Sequence, residues 1–289
     1  MRLRLDTEIS DGGLNPIRSD LSGALTHLLQ PLDSSSFIPQ ITPQIMSTSK
    51  TVYLVSGANR GIGLGLVESL SKNEFNIVIG GARDPSKPSG LNDLAMERSN
   101  VHVIKLISAD VGDNKAAAQF IEEKFGQLDV VIANAGISLA YTSALEVSLE
   151  HVNEHYQVNT LGPLILFQAV GPFLLKSPNP KWVLISSAAG SLGTPFPLLA
   201  TAYGASKAAV NFMGTKIHQE HPNLVVLAIS PGWVQTDMDS GNDVANSIGM
   251  KEAPVTIADS VSGMLKVIHS ATWAESGRFW NQEGKELKW

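Results

Sequence analysis

"TVYLVSGANRGIGLGLVESL", residues 51–70, is the stretch that decides the fold. "TVYLV" is almost wholly β-branched or aromatic, as suits a strand buried on both faces. Glycines follow at 57, 61 and 63, and "GLGLVESLSK" then reads as a helix. Glycine permits a tight turn and lets another group come close to the backbone. The free N–H groups and positive dipole at the helix start would face an anion placed there, so strand, turn and helix together make a phosphate cradle. The spacing is G-x-x-x-G-x-G rather than the G-x-G-x-x-G of the common dinucleotide fingerprint. Alone it is weak, and its position after the first predicted strand strengthens it. Gly57, Asn59, Arg60, Gly61, Ile62 and Gly63 are its candidate cofactor-binding residues.

Outward from this turn, apolar runs and helical stretches alternate. "FNIVIGGAR" is a second strand and "VHVIKLISAD" a third. "NKAAAQFIEEKFG" is a helix with a glycine stop, and "LDVVIANAG" a fourth strand. One long helix is expected from about Leu149 to Leu175. "KWVLISSAAG" is a fifth strand, "AYGASKAAVNFMGTKIHQEH" a helix, and "NLVVLAISPG" a sixth strand. "TIADSVSGMLKVIHSA" is a last helix and "GRFWN" a final short strand. Strands apolar throughout, alternating with helices, indicate a parallel sheet covered on both faces. The expectation is an α/β fold: a single doubly wound, Rossmann-like domain of about seven strands over residues 50–289. Residues 1–49 differ, with scattered Pro, Ser, Gly and Gln, and read as a disordered N-terminal extension.

Composition narrows the function. Net charge is -6 and no basic tract stands out, which argues against a nucleic-acid partner. There is no cysteine, so thiolate catalysis and cysteine metal sites are excluded, and a reducing, cytoplasmic location fits. No apolar run approaches the roughly 18 residues that a membrane span needs. "MRLRLDTEIS" lacks the apolar core of a secretory signal and carries acids early, unlike a transit peptide. His151, His155, His218 and His221 read as surface or helix residues without metal-ligand spacing, so no metal site is expected.

The strand ends supply a nucleotide crevice, because open α/β sheets bind ligands there. An acid ending the second strand would select a ribose 2′-hydroxyl, but that strand ends "GGARD". Arg83 there, and Arg60 in the glycine turn, suit a 2′-phosphate and favour NADP(H); Asp84 is expected to turn away toward Pro85. Asp110, at the end of the third strand, is placed to accept from an adenine amino group. Asn134, Ala135 and Gly136 end the fourth strand, Asn134 holding the crevice and Gly136 admitting the cofactor. "PGWVQTD" after the sixth strand is expected to wrap a nicotinamide amide with backbone groups and Thr236.

Tyr203 and Lys207, in "AYGASK", lie one helical turn apart and share a face. A tyrosine with a pKa near 10 exchanges protons slowly at neutral pH, and a nearby ammonium favours its phenolate. "SGANRGIG", Asp110-Val111, "NAG", "VNTLG", "ISSAAG", "YGASK" and "PGWVQTDM" occur in the order and spacing of the short-chain dehydrogenase/reductase family, which the chain resembles over about residues 51–289. "TVYLVSGANRGIGLGLVESL", "PGWVQTDM" and "GKELKW" make it most similar, within that family, to fungal NADP-dependent ketoreductases of the norsolorinic acid ketoreductase type. Met46 lies where such proteins often begin. Ser56 replaces a common threonine, and "ANAG" the commoner "NNAG".

The resemblance implies that Tyr203 is the general acid in reduction, and that Lys207 modulates it and holds the nicotinamide ribose. It implies Ser187 as the residue that orients the carbonyl, with Ser186 as the competing choice. Asn159 would hold a water in the proton path. It places Val111, Pro231, Gly232 and Val234 with Thr236 among the cofactor contacts. The implied activity is NADPH-dependent reduction of a small-molecule ketone, such as a polyketide or other secondary-metabolite carbonyl, to an alcohol. The alternatives are a non-catalytic NADP-binding regulatory protein and sugar-nucleotide epimerisation, for which little chain remains. Leu192, Phe196, Trp233 and Met238, with the Gly/Asn/Ser-rich stretch to Gly249, are expected to form an apolar pocket wall and lid. Relatives pair through the helix at 149–175 and the "YGASK" helix, which implies a homo-dimer or tetramer.

Overall fold

The computed structural model describes residues 50–139, 141–194, 196–239 and 252–289. The expected extension over 1–49 and the Gly/Asn/Ser-rich part of the expected lid lie outside these residues.

β1 (Thr51–Ser56) forms because its side chains alternate between two apolar layers. Tyr53 and Val55 enter one core with Leu66, Val67 and Leu70 of α1 (Gly61–Leu70) and with Val261, Met264 and Ile268 of α7 (Ile257–Ser270). Val52 and Leu54 enter the other. There they meet Ile121 of α3 (Val111–Phe125), Leu166 and Val170 of α5 (Gly162–Leu174), and Val210 and Ile217 of α6 (Thr201–Glu220). Leu54 is fully buried, and truncating such a leucine to alanine costs about 2–5 kcal/mol.

The remaining strands are β2 (Asn76–Ala82), β3 (Val101–Lys105), β4 (Val130–Ala133), β5 (Lys181–Ile185), β6 (Val225–Ser230), β7 (Arg278–Asn281) and β8 (Glu286–Leu287). The sheet order is β3-β2-β1-β4-β5-β6-β7-β8. All neighbours pair in parallel except β7 and β8. β1 has β2 on one side and β4 on the other, so the winding direction reverses there and a crevice opens at their carboxyl ends. The eighth strand exceeds the expected seven by a two-residue antiparallel hairpin arm, too short to carry a period of its own.

Three elements differ from expectation. A short helix, α2 (Gly90–Glu97), lies between β2 and β3, where upstream prolines and a polar sequence mask it. β3 stops at Lys105 instead of running to Asp110, and Ala109 takes the left-handed conformation, at φ 63°.

The long helix is also interrupted: α4 (Leu149–Tyr156) passes into a π turn (Gln157–Leu161) before α5. Gly162 N–H reaches back five residues to the Gln157 carbonyl. Val158 carbonyl, thereby left without its α-helical donor, accepts from Ser108 Oγ at 2.9 Å. Pro163 has no N–H to give the Asn159 carbonyl, which removes the next α-helical bond too.

Candidate active site

The glycine turn folds against itself and against β4. Gly57 and Gly61 have φ of 65° and 55°, the region that favours glycine. A Cβ on Gly63 would strike the Gly57 carbonyl, and one on Gly57 would lie 2.9 Å from Ala135 Cα. Ser56 Oγ accepts from Asn134 N–H and Ala135 N–H, both at 3.0 Å. The Asn134 amide donates back to the carbonyls of Ser56 (2.9 Å) and Gly57 (3.2 Å). The serine that replaces threonine thus supplies the same hydroxyl.

Side chains cap α3, α4 and α7 at Asp110, Ser148 and Thr256. At α1 the first turn carries no acid and Arg60 makes no side-chain cap. This helix start therefore keeps its N–H groups and partial positive charge available to an anion. Ile62 packs partly into the core beside it, and Asn59 is exposed.

The two arginines differ. Arg83 directly follows β2, is exposed, and has no ion pair or hydrogen bond among the described residues. Arg60 instead pairs with Asp237 at 3.3 Å, across to the segment after β6. Asp84 is turned away, its Oδ1 accepting from Ser86 N–H (3.1 Å) and Oγ (2.6 Å). Asp110 is not at a strand end, as expected, but five residues beyond β3, where its Oδ1 accepts from Asp113 N–H at 2.8 Å as the N-cap of α3. The kink at Ala109 moves it there. Val111 opens α3 and is 52% exposed.

The chemistry-bearing side chains converge between β5, the π turn and α6. Lys207 is buried and donates to the Ile185 carbonyl at 2.8 Å. Its Nζ lies 5.7 Å from the centre of the Tyr203 ring. Burial brings the Lys207 pKa down to about 8. The Tyr203 phenol is pushed up to about 12 by the protein packed around it; the neighbouring Ser187 hydroxyl pulls down and Tyr141 pushes up. The serine pair divides its work. Ser186 is buried and its hydroxyl donates to Asn211 Oδ1 at 2.5 Å, whereas Ser187 is half-buried and faces Tyr203.

Asn159 is buried in the π turn. Its Oδ1 accepts from Ile137 N–H (2.8 Å), and its amide donates to the Ile137 carbonyl (2.9 Å) and Ser206 Oγ (3.0 Å). Ser206 in turn donates to the Tyr203 carbonyl at 2.7 Å. A Cβ on Gly136 would stand 3.2 Å from Asn159 Oδ1 and 3.5 Å from Lys207 Nζ, so this glycine leaves both groups open. Gly190 and Gly204 do the same for packing. Their absent side chains let the turn after Ser187 (Ala188–Gly190) lie on α6.

The sequence reading missed two participants. Ser206 sits inside "YGASK", and only the structure shows that it joins Asn159 to the Tyr203 backbone. His155 was read as a surface or helix residue; it lies in α4 but is fully buried. Its Nδ1 donates to the His151 carbonyl (2.6 Å), its Nε2 accepts from Leu139 N–H (3.1 Å), and its ring meets Tyr203 edge-on at 6.3 Å. That bonding requires the neutral ring.

After β6, Pro231 carbonyl accepts from Ser260 Oγ at 2.7 Å and Gly232 turns with φ 83°. Gln235 N–H and the Trp233 carbonyl both bond Val255, at 3.0 and 3.1 Å. In such parallel pairing the N–H and C=O of Val234 point away from Val255. Thr236 stands beside Gly61. Among the described residues no group of acids and histidines is arranged to hold a metal ion, and no helix is long and apolar enough to cross a membrane.

The chain is similar to known proteins. The chain is 36% identical over 253 residues to the short-chain dehydrogenase srdF of Neurospora crassa, covering 84% of this chain and 99% of that protein. It is 38% identical to the norsolorinic acid ketoreductase of Aspergillus parasiticus, covering 83% of this chain and 92% of the relative. Among solved structures it resembles the NADPH-bound carbonyl reductase from chicken fatty liver. There the TM-score is 0.75 and the identity 34%, over 83% of this chain and 100% of that one. Residues 51–246 match the short chain dehydrogenase family, and with these relatives they show that the chain belongs to it.

Proposed function

We propose that the protein reduces a ketone to an alcohol with NADPH, Tyr203 giving the proton. The observation that carries this reading is the convergence of Ser187, Tyr203 and Lys207 beside a helix start left open for a phosphate. The residues present fit such a cofactor. The uncapped α1 suits a pyrophosphate, the exposed Arg83 suits a 2′-phosphate, and Gly136 leaves room in front of Asn159 and Lys207. The NADPH-bound chicken enzyme and the Aspergillus ketoreductase support the same reading.

When bound, the reduced nicotinamide supplies a hydride to the carbonyl carbon. The protein's own residues then manage the oxygen. The Ser187 hydroxyl orients the carbonyl and donates to the oxygen as negative charge develops. With its pKa raised to about 12, the Tyr203 phenol is fully protonated at neutral pH and ready to donate. The phenolate left behind gains from the Lys207 ammonium, which stays mostly charged at pH 7 even with its pKa near 8. Lys207 uses one N–H on Ile185 and keeps two for ribose hydroxyls. Asn159 and Ser206 hold the π turn against the Tyr203 backbone.

Tyr203→Phe removes the proton and keeps the ring. Ketone-dependent NADPH oxidation should fall by about 10²–10⁴-fold, while NADPH binding, followed by its fluorescence, stays the same. Unchanged turnover would discard Tyr203 as donor. Tight NADPH binding without turnover on a broad ketone panel by the unaltered protein would favour a regulatory role instead.

Exposed apolar side chains expected around the site bear on the substrate class. Leu192, Phe196 and Met238 are exposed at 90%, 38% and 45%, and Leu139 at 49%. An apolar ketone with a flat ring system would cover them, whereas a polar sugar would not.

A further inference from the structure

The loop between the catalytic serine and tyrosine is tied at both ends, and one tie comes from the far end of the sheet. Ser191 Oγ donates to the Lys288 carbonyl at 2.7 Å, and Gly193 N–H donates to the Trp289 main-chain oxygen at 2.5 Å. Thr194 N–H closes the loop onto Ser191 Oγ at 3.0 Å. A Cβ on Gly193 would lie 2.8 Å from Lys288 Cβ and 3.0 Å from the Trp289 oxygen, so any larger residue would push the two segments apart.

Trp289 is itself held, its ring stacked on the fully buried Phe279 of β7 at 5.5 Å and 19°. At the other end of the loop Ala200 bridges to Thr142, and Thr201 Oγ1 donates to the Thr142 carbonyl at 2.9 Å. Between these ties stand the exposed Leu192, Phe196 and Leu199.

We infer that the β7–β8 hairpin with Lys288 and Trp289 is a strap that fixes the height of the 191–194 segment, and that Trp289 is thereby a positioning residue for ketone size. This rests on the carbonyl-reductase reading. The strap touches the loop four residues after Ser187 and bonds none of Ser187, Tyr203 or Lys207. It therefore acts on how a large substrate fits, not on proton transfer.

Three variants of the full chain test it: Trp289→Ala, Trp289→Phe and Gly193→Ala. Cyclohexanone serves as the small ketone and 9,10-phenanthrenequinone as the large one, and hydrogen–deuterium exchange is read at residues 188–200 and 51–63. In Trp289→Ala, exchange at 191–194 should rise with 51–63 unchanged. KM for the large ketone should shift by about tenfold or more, with the small ketone and NADPH affinity moving less than about twofold. Trp289→Phe should restore both readouts. Gly193→Ala, which leaves the hairpin intact, should reproduce the KM split if Trp289→Ala fails to fold.

Equal KM changes for both ketones, or unaltered exchange at 191–194, would overturn the strap. If the unaltered chain reduces neither ketone, the carbonyl-reductase reading fails and the specificity claim falls with it. The exchange data then still decide whether the strap holds the loop.

Discussion

Lys181 opens β5 and Lys207, reaching over from α6, bonds the Ile185 carbonyl at its other end, and burial lowers the pKa of both. Lys181 spends its three donors on the carbonyls of Ile268, His269 and Ala271 at the end of α7 (2.6, 3.2 and 2.9 Å). There a cation meets the negative end of a helix. Close by, Asp129 is equally occupied, accepting from Val52 N–H, Gln127 and Ser177. Lys207 makes one hydrogen bond among the described residues and leaves two donors facing Gly136. Both ends hide a charge, but only the carboxyl end leaves it unfinished. An unfinished buried cation marks a site; a finished one marks a joint.

The strongest test of this contrast swaps each lysine for methionine, which keeps the apolar stem. Lys207→Met should lower kcat/KM by about 10²–10⁴-fold with a modest change in melting temperature. Lys181→Met should leave turnover per folded molecule intact and cost about 1–3 kcal/mol in urea unfolding, since three carbonyls lose their donor. If Lys181→Met were the one to silence turnover, the contrast would break.

The serine pair repeats the contrast at shorter range. Ser187→Ala should cost about 10–10³-fold in kcat, as loss of a donor to a developing oxyanion does. Ser186→Ala should instead show up as about 1–3 kcal/mol of stability, because the buried Asn211 oxygen loses its partner. Equal kinetic losses in the two variants would assign both hydroxyls to catalysis.

Arg83→Ala tests a second unfinished charge. The NADPH-over-NADH ratio of kcat/KM should fall by about tenfold or more, as for a lost charge-assisted bond of about 1.5–3 kcal/mol. Arg60→Ala should change it less, because Arg60 already pairs with Asp237. An unaltered ratio in Arg83→Ala would show that the phosphate is read elsewhere.

A further effect is on pH. The folded chain gives up the Lys207 proton near pH 8, whereas the unfolded chain keeps it until about 10.5. Below pH 8 both states are protonated, and the cost of burying the charge is borne in full. Between pH 8 and 10.5 the unfolded state binds more protons, so stability rises with pH. Tyr203 works against folding only above pH 10, where the unfolded chain ionises first. The cofactor-free protein should gain melting temperature from pH 8 toward 10, and Lys207→Met should gain less. A flat profile shared by both proteins would mean Lys207 is better solvated than its burial implies.

What sequence could show follows from what each element depends on. The glycine turn was legible because Gly57, Gly61 and Gly63 are required by backbone geometry within seven residues. The parallel sheet was legible because its strands are apolar on both faces. Asp110 was misplaced because "LISAD" continues the apolar run of β3, and nothing local announces the left-handed Ala109. The burial of His155 was not legible because its partners, the His151 carbonyl and Leu139 N–H, are backbone groups that no side-chain pattern reveals. The division between Ser186 and Ser187 depends on Asn211, 25 positions away from its partner.

The π turn at Gln157–Leu161 has a further consequence, in the phase of the chain. A π turn carries one residue more than the α-helix it interrupts, and each residue advances a helix by about 100°. α4 and α5 therefore keep two separate rotational settings, one aiming His155 at the 137–139 segment and the other seating Leu166 and Val170 in the core. Deleting a single residue between Tyr156 and Gly162 would force both helices onto one setting. Asn159 would leave Ile137 and Ser206, and no shift along the axis could bring it back without unseating the core. In this part of the chain the count of residues, as much as their identity, is what the site inherits.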